Sequence, residues 1–391
     1  MDVVIIGTGM YSTGRGTSGY GTILPALLEF QRKNMKLEKI IFIGTNSKNS
    51  QESYKKYLEL SNSSGISIDC KFYPNDNNIN PDTYKSIIRG LKKPTCAIVA
   101  VPDNLHFPVA KECLTNGMHT LVVKPLTPKV EESKKLISLA NQKKLYGAVE
   151  FHKRWDKQNL MLKDKINNNE IGEPLYTWSE YSQRKSIPSG VFKSWVEQSN
   201  IIQYLGVHYI DIIRFATKAK PIRVMAIGQK KWLKDHNINV HDSIQCIIEW
   251  QNTNNILFTQ TLLLNWVDPE TSSSMSDQKL QFVGTKGRFV SDQKRRGVTI
   301  ISDNNNLEEP NPDFCYSYMN ENNQSEYKGY GIKSITTFIN DSFNLYNEQE
   351  QLNELKKIRP TFEESLISTS VIESASESLN SNGHWIKINI N

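Results

Sequence analysis

Lys124 follows the short apolar run Thr120 to Val123 directly and precedes Pro125. A run of that kind reads as a strand buried on both faces. The carboxyl end of a parallel strand is where open α/β sheets bind ligands. An amine there can act as a general acid or base once desolvation lowers its pKa; it can equally be a solvated charge at a strand end. A second group lies in Ile201 to Ala216, IIQYLGVHYIDIIRFA, which is apolar nearly all round and reads as a buried helix. Tyr204, His208 and Asp211 are four and three residues apart and share a stripe. A histidine and a carboxylate in so apolar a helix need partners. Either His208–Asp211 or Asp211–Arg214 is a structural pair, or the stripe faces a crevice, where Tyr204 and His208 bind or protonate a substrate oxygen near Lys124. Glu150, His152, Lys153 and Arg154 leave a further strand, Tyr146 to Phe151, at the same end of the sheet. All four, and Asp211 with them, are candidate substrate contacts, against the plainer reading of a charged strand end.

Two loops could hold a nucleotide. Gly7-Thr8-Gly9 comes directly after the apolar strand DVVII, Asp2 to Ile6. In the pattern G-x-G-x-x-G, glycines let backbone N–H groups meet a pyrophosphate at a helix N-terminus. Here the third glycine position is Ser12, and the expected helix does not start. A glycine-rich stretch, Ser12 to Thr22, intervenes, and helical spacing begins only near Ile23, with Pro25 tolerated in the first turn. The stretch is either a flexible loop or an extended phosphate clamp, in which Gly7, Thr8, Gly9, Met10 and Ser12 line the phosphates and Arg15 brings the charge. The second strand, Lys39 to Gly44, ends in Thr45-Asn46-Ser47-Lys48 where an NAD-preferring site usually has Asp or Glu. A carboxylate repels a 2′-phosphate, whereas hydroxyls, an amide and a lysine can bind one, so this loop favours NADP over NAD. The alternative is a helix N-cap region, with Ser47 or Asn49 capping Gln51 to Leu60.

These residues need elements to position them. Strand and helix alternate through about 150 residues. Ile66 to Tyr73 reads as a third strand, 74–81 as a polar turn and 82–91 as a helix. Cys96 to Val101 is a fourth strand, turned by Pro102, Asp103 and Asn104 into a helix over Leu105 to Asn116. Val130 to Gln142 is a helix leading to strand six. That is an α/β, doubly wound parallel sheet. Beyond Trp155 the rhythm changes. Helices over Lys157 to Asn168 and Ile201 to Ala216 are followed by strands at Pro221 to Lys230, Ser243 to Trp250, Ile256 to Trp266, Lys279 to Val283, Gly287 to Asp292 and Gly297 to Ile301. This is an α+β domain with a large open mixed or antiparallel sheet, whose free face could pair with another copy. A long polar loop over 303–331, helices Lys333 to Tyr346 and Phe362 to Leu379, and a strand His384 to Ile390 finish the chain. The expected division is a nucleotide-binding domain over 1–125 and a substrate-binding and oligomerisation domain over 126–391, with strand six (about 146–151) completing the first sheet. Substrate specificity is expected in the loops 183–198 and 303–331.

Length and composition narrow the function. At 391 residues two domains are the natural division. The formal charge of +6 is spread out, and its lysine and arginine clusters lack interleaved aromatics, which argues against nucleic acid. No window approaches twenty apolar residues, so no membrane span is expected. Met1 leads almost directly into a strand, leaving no room for a signal peptide. Five scattered cysteines offer neither a zinc clip nor a disulfide framework, so no metal is expected and a reducing cytoplasm fits.

In order and spacing, VVIIGTG, AIVAVPDNLH, LVVKPLT, AVEFHKRWD, IGEP, LGVHYID, FVGTKGRF and RPTFEESLISTSVIESASES together resemble the GFO/IDH/MocA family (glucose-fructose oxidoreductase, inositol dehydrogenase, rhizopine catabolism) over nearly the whole length. The resemblance implies a Rossmann domain, then a sheet domain that forms homodimers or homotetramers, and nicotinamide-dependent oxidoreduction of sugars, polyols or sugar derivatives. It implies that Lys124 acts on the substrate hydroxyl or carbonyl and contacts the nicotinamide ribose together with Pro125. His208 is the family's histidine, followed by Asp211, and Val101, Pro102, Asn104 and His106 lie along the nicotinamide. The chain departs from the pattern at Val123, where the family has Glu, at Tyr204, where it has Asp, and at Ser199-Asn200, where it has Gly-Gly. Hydride transfer between nicotinamide and a carbinol carbon is the first expectation. A catalytically silent nicotinamide-binding sensor or assembly protein is the alternative from another class, and a lyase or glycosidase that oxidises its substrate transiently is a third.

Overall fold

The computed structural model describes residues 1–33, 37–76, 79–303 and 306–390. The chain forms two compact units. The first comprises 1–127, 131–152 and 313–365; the second comprises 128–130, 153–312 and 366–391.

The first unit is built on six short strands: β1 (Asp2–Ile6), β2 (Lys39–Ile43), β3 (Asp69–Tyr73), β4 (Thr95–Val99), β5 (His119–Val123) and β6 (Gly147–Glu150). They lie in the order β3-β2-β1-β4-β5-β6, every pair parallel. Strands β1, β2 and β4 are buried almost end to end, as β-branched runs must be when helices cover both faces. The helices are α1 (Met10–Thr13), α2 (Ile23–Arg32), α3 (Ser47–Ser64), α4 (Thr83–Arg89), α5 (His106–Thr115) and α6 (Val130–Gln142). The doubly wound sheet read from the sequence is present, although β3 starts at Asp69 rather than Ile66 and β4 ends at Val99 rather than Val101. The turn expected over 74–81 is only partly described, because residues 77–78 lie outside the described residues.

The segment over 313–365 returns to this unit and completes its core. It supplies a hairpin, β15 (Tyr316–Met319) with β16 (Ser325–Lys328), and helices α10 (Tyr330–Tyr346) and α11 (Leu352–Ile358). Ile332, Ile335, Phe338 and Ile339 of α10 join Ile23, Leu24 and Leu27 of α2 in one buried cluster. The long loop expected over 303–331 is thus largely structured, with residues 304–305 outside the described residues.

The second unit is a seven-stranded sheet in the order β12-β11-β7-β10-β9-β8-β17. Its strands are β7 (Pro174–Arg184), β8 (Lys220–Gln229), β9 (Ser243–Gln251), β10 (Leu257–Asp268), β11 (Ser276–Gly284), β12 (Arg288–Asp292) and the short β17 (Ile386–Lys387). Only β7 and β10 pair in parallel; the other pairs are antiparallel. Strand β7 carries a weak sequence signal because its inward positions are Thr177, Ser179, Tyr181 and Gln183, with no aliphatic residue among them. A strand expected over Gly297 to Ile301 is instead β13 (Ile300–Ser302), which leaves the large sheet and pairs with β14 (Asn306–Glu308). Helices α7 (Lys157–Asn167) and α8 (Val207–Thr217), a short α9 (Trp232–Asp235) and most of α12 (Phe362–Asn380) belong here. The single helix expected over Ile201 to Ala216 is split: Ile202–Gly206 is a π turn, and regular helix begins at Val207. Such turns widen a helix locally and recur at functional sites.

Candidate active site

The glycines after β1 are there for space. Gly7 has φ +112°, and a Cβ on it would sit 2.0 Å from the Ala100 carbonyl oxygen, so β1 and β4 can end side by side only with glycine here. At Gly9 a Cβ would meet nothing within 4 Å. Contrary to the sequence reading, a helix does start directly: Met10 to Thr13 makes one turn before Gly14, at φ 73°, ends it. Ser12 Oγ is buried without a hydrogen-bond partner among the described residues. The glycine-rich stretch then folds back. Arg15 Nε donates to Thr8 O at 2.9 Å and Arg15 Nη1 to Asn49 Oδ1 at 3.1 Å. Open ground at Gly9, an unpaired buried hydroxyl at Ser12 and a guanidinium at Arg15 fit the phosphates of a dinucleotide.

The loop after β2 holds Thr45 and Lys48 exposed, with Ser47 half-buried. The cap of α3 is Asn46, whose side chain accepts from Asn49 N at 2.9 Å, rather than Ser47 or Asn49. Asn46 is thereby committed to the helix, while Ser47 and Lys48 lie in its first turn. The face of α3 toward the sheet carries Ser50 and Ser53, small enough for close approach. Ser53 Oγ donates to Thr8 O at 3.2 Å.

At the ends of β4 and β5 lie the residues expected along the nicotinamide. Val101 and Pro102 are half-buried and Asn104 is exposed. His106 is fully buried, with Nδ1 2.7 Å from Pro125 O and Nε2 2.9 Å from Val101 O. It is a strut between two strand ends, its ring nitrogens spent on backbone, and not the direct cofactor contact expected from the sequence. Lys124 leaves β5 half-buried, ahead of a cis bond to Pro125. Burial lowers its pKa from 10.5 to about 8, against the opposing pull of Asp103 and then Glu150. An amine at that value shares its proton readily near neutral pH. Asp103, buried in the turn after β4, was not singled out from the sequence; its position beside a proline turn is the only signal that could have found it.

Glu150 closes β6 and is 2% exposed. Its Oε2 lies 2.9 Å from His152 Nδ1. Around His152 stand Phe314, Tyr330 and Tyr11, at ring separations of 5.1, 5.7 and 6.5 Å. None of those three aromatics could be assigned from the sequence, since two of them come from more than 160 positions away.

In the second unit the expected substrate contacts are engaged elsewhere. Lys153 is 2% exposed, its Nζ donating to Gln278 Oε1 at 2.6 Å and Gln293 Oε1 at 2.5 Å, over the faces of Tyr181 and Tyr209. Asp211 takes both hydrogen bonds of a bidentate pair from Arg154, at 2.8 and 2.6 Å, with both side chains under 5% exposed. Arg214 instead donates to the carbonyls of Lys218 and Ala219. Lys153 and Asp211 therefore belong to the interior: a buried charge is tolerated where it is paired and hydrogen-bonded. Tyr204 packs its ring among Phe192, Trp195 and Trp266, while His208, 3% exposed, packs against Tyr181.

Residues 1–151 match the model described as "Oxidoreductase family, NAD-binding Rossmann fold", and residues 160–290 match the GFO/IDH/MocA C-terminal domain. The chain belongs to the GFO/IDH/MocA family. One relative of this family member is scyllo-inositol 2-dehydrogenase (NAD(+)) of Bacillus subtilis, 24% identical over 218 residues, 56% of this chain and 61% of that protein. Another is the NADP(+) scyllo-inositol 2-dehydrogenase of the same organism, 30% identical over 118 residues, 29% of this chain and 32% of that one. The matches span about a third of the length of the first curated relatives. In fold, the chain is similar to scyllo-inositol dehydrogenase of Lactobacillus casei, solved with NAD(H) and scyllo-inositol, at TM-score 0.69 and 14% identity, covering 99% and 98% of the two chains. Among the described residues no helix is long and apolar enough to cross a membrane.

Proposed function

We propose that this GFO/IDH/MocA protein is an NAD(P)-dependent dehydrogenase or reductase acting on a CH–OH carbon of a sugar, polyol or sugar derivative. The observation that carries the reading is Lys124: a half-buried amine at the carboxyl end of β5, its pKa brought to about 8 by burial. In this reading the first unit binds the nucleotide and the second supplies substrate contacts and an oligomer surface. When bound, the nicotinamide takes or gives a hydride. Lys124 takes the proton from the substrate hydroxyl in oxidation and returns it in reduction. His208, which the family resemblance assigns to the reacting oxygen, orients it, with Tyr204 one turn before it in sequence. Gly7, Thr8, Gly9, Met10 and Ser12 receive the pyrophosphate.

NADP is the preferred cofactor. Arg15 stands beside Asn49 at the start of α3, next to Ser47 and Lys48, so two cations and a hydroxyl sit where the second strand ends. No carboxylate occupies Thr45 to Lys48 to repel a 2′-phosphate.

The test is a fluorescence titration with NADPH and NADH, followed by a turnover screen of inositols and hexoses with the tighter cofactor. Lys124→Ala should cut turnover by about 10²–10⁴-fold while dinucleotide affinity stays within a few-fold. Unchanged turnover in that variant sinks the acid/base role of Lys124. Tight dinucleotide binding with no turnover on any polyol favours the silent sensor, a reading that Val123 and Tyr204 motivate.

A further inference from the structure

Val123 and Glu150 are partners in the parallel register of β5 and β6, and Lys124 is the next residue along. The Glu150 side chain therefore leaves the sheet beside the strand that delivers the lysine. It is 2% exposed. One oxygen, Oε2, is taken by His152 Nδ1 at 2.9 Å; the other, Oε1, has no well-aligned hydrogen bond among the described residues. Tyr11 Oη lies beside the Glu150 carboxylate, whose charge and an imperfectly aligned hydrogen bond push its pKa up, second to burial. The His152 ring, 12% exposed at its side chain, is nearly parallel to those of Tyr330 and Tyr11, at 22° and 28°, and tilted 53° to Phe314. A buried carboxylate costs stability, and an apolar residue would fill this space more cheaply. Such an arrangement is retained where the charge acts on a neighbour. Two carboxylates influence Lys124, Asp103 from the turn after β4 and Glu150 from β6, and Cys315 is the other titratable group beside Tyr11.

We propose that Glu150 and His152 form a positioning pair for Lys124, in which the buried carboxylate is the lysine's countercharge from the neighbouring strand and the caged imidazole keeps that carboxylate in one orientation. The pair sets how much of Lys124 is protonated at neutral pH and so which direction of proton transfer it is ready for. The inference rests on the acid/base reading of Lys124 for its purpose, but its test needs no turnover.

Trace labelling of the full-length protein with acetic anhydride across a pH series, followed by mass spectrometry of the peptide carrying Lys124, reads the titration midpoint of that one amine. The wild-type midpoint is expected near pH 8. Glu150→Gln removes a charge that favours the ammonium form and should lower it by roughly one pH unit. His152→Phe, which keeps an aromatic ring in the cage and loses the hydrogen bond, should lower it by less, and His152→Asn should restore it in part. Asp103→Asn is the comparator for a neighbouring carboxylate. An unmoved midpoint in Glu150→Gln, in protein with an unchanged circular dichroism spectrum, overturns the proposal. If Glu150→Gln does not fold, Glu150→Asp carries the same test, since a withdrawn carboxylate should lower the midpoint in the same direction and an unmoved one overturns the idea. A shifted midpoint together with normal turnover in Lys124→Ala would keep the pairing and remove the acid/base reading instead.

Discussion

Arg15 Nη1 donates to Asn49 Oδ1 at 3.1 Å, tying the loop after β1 to the first turn of the helix after β2. The glycine-rich stretch that separates the nucleotide turn from α2 is therefore no free tether. It brings a guanidinium to the start of α3, where the proposed function puts the 2′-phosphate of NADP. Arg15→Ala should weaken NADPH about tenfold, the loss expected for one charge-assisted contact, and leave NADH within about twofold. Paired fluorescence titrations read both. Equal losses for the two cofactors would place Arg15 on the shared pyrophosphate and not on the 2′-phosphate.

Burial sets a pH signature for Lys124. Its folded-state pKa is about 8, below the ordinary 10.5. Between those values the unfolded chain holds more protons, so this residue makes stability rise with pH from about 8 to 10.5, and it costs stability below that window. Lys124→Met removes the cost, about 1–3 kcal/mol after allowing for partial exposure. The variant should melt a few degrees higher than wild type at pH 7, and the gap should close as pH climbs past 8. Melting curves at several pH values decide it; a gap that widens with pH contradicts a lowered lysine pKa.

The Arg154–Asp211 pair gives the opposite kind of prediction. Both side chains are under 5% exposed and joined by two hydrogen bonds. Arg154→Met leaves a buried carboxylate unpaired and should cost about 3–5 kcal/mol in chemical denaturation, most of it recovered in Arg154→Met with Asp211→Leu. A variant of normal stability with a raised KM would instead return Asp211 to the substrate.

One row of the second unit's sheet runs Met225, Ile247, Thr261, Trp178, Gln281, Val290 across six strands. Val290 is 59% exposed, and Leu257 and Leu263 lie on the same open face at 53% and 38%. An open sheet face with that much apolar surface is the surface proposed for self-association. Trp178→Glu with Ile247→Lys should convert a dimer or tetramer to monomer in light scattering, with the fold intact by circular dichroism. An unchanged mass would move the interface elsewhere.

The parallel sheet, the order of its strands along the chain, the lysine at the end of β5 and the glycine turn after β1 could all be read from residue order. Buried parallel strands are near-continuous apolar runs, and turns need glycine and proline at fixed places, so both are local properties. The phosphate-facing role proposed for Arg15 was legible as a charge in a glycine-rich loop, though not its tie to Asn49. Other features are decided by residues far apart in sequence. Lys153 and Asp211 look like site charges in one dimension; they become interior groups because Gln278, Gln293 and Arg154 reach them in three. His106 looks like a cofactor contact until Pro125 and Val101 take its ring nitrogens. Strand β7 hides because its core positions are Thr177, Ser179, Tyr181 and Gln183, with no aliphatic residue among them, and Thr177 and Gln183 find partners in Gln281 and Trp266 that local patterning cannot see. The cage around His152 needs Phe314 and Tyr330, carried back to the first unit by the returning segment over 313–365. Apolar periodicity is written residue by residue, whereas the partner of a buried polar group is chosen by packing, and that choice belongs to the folded chain.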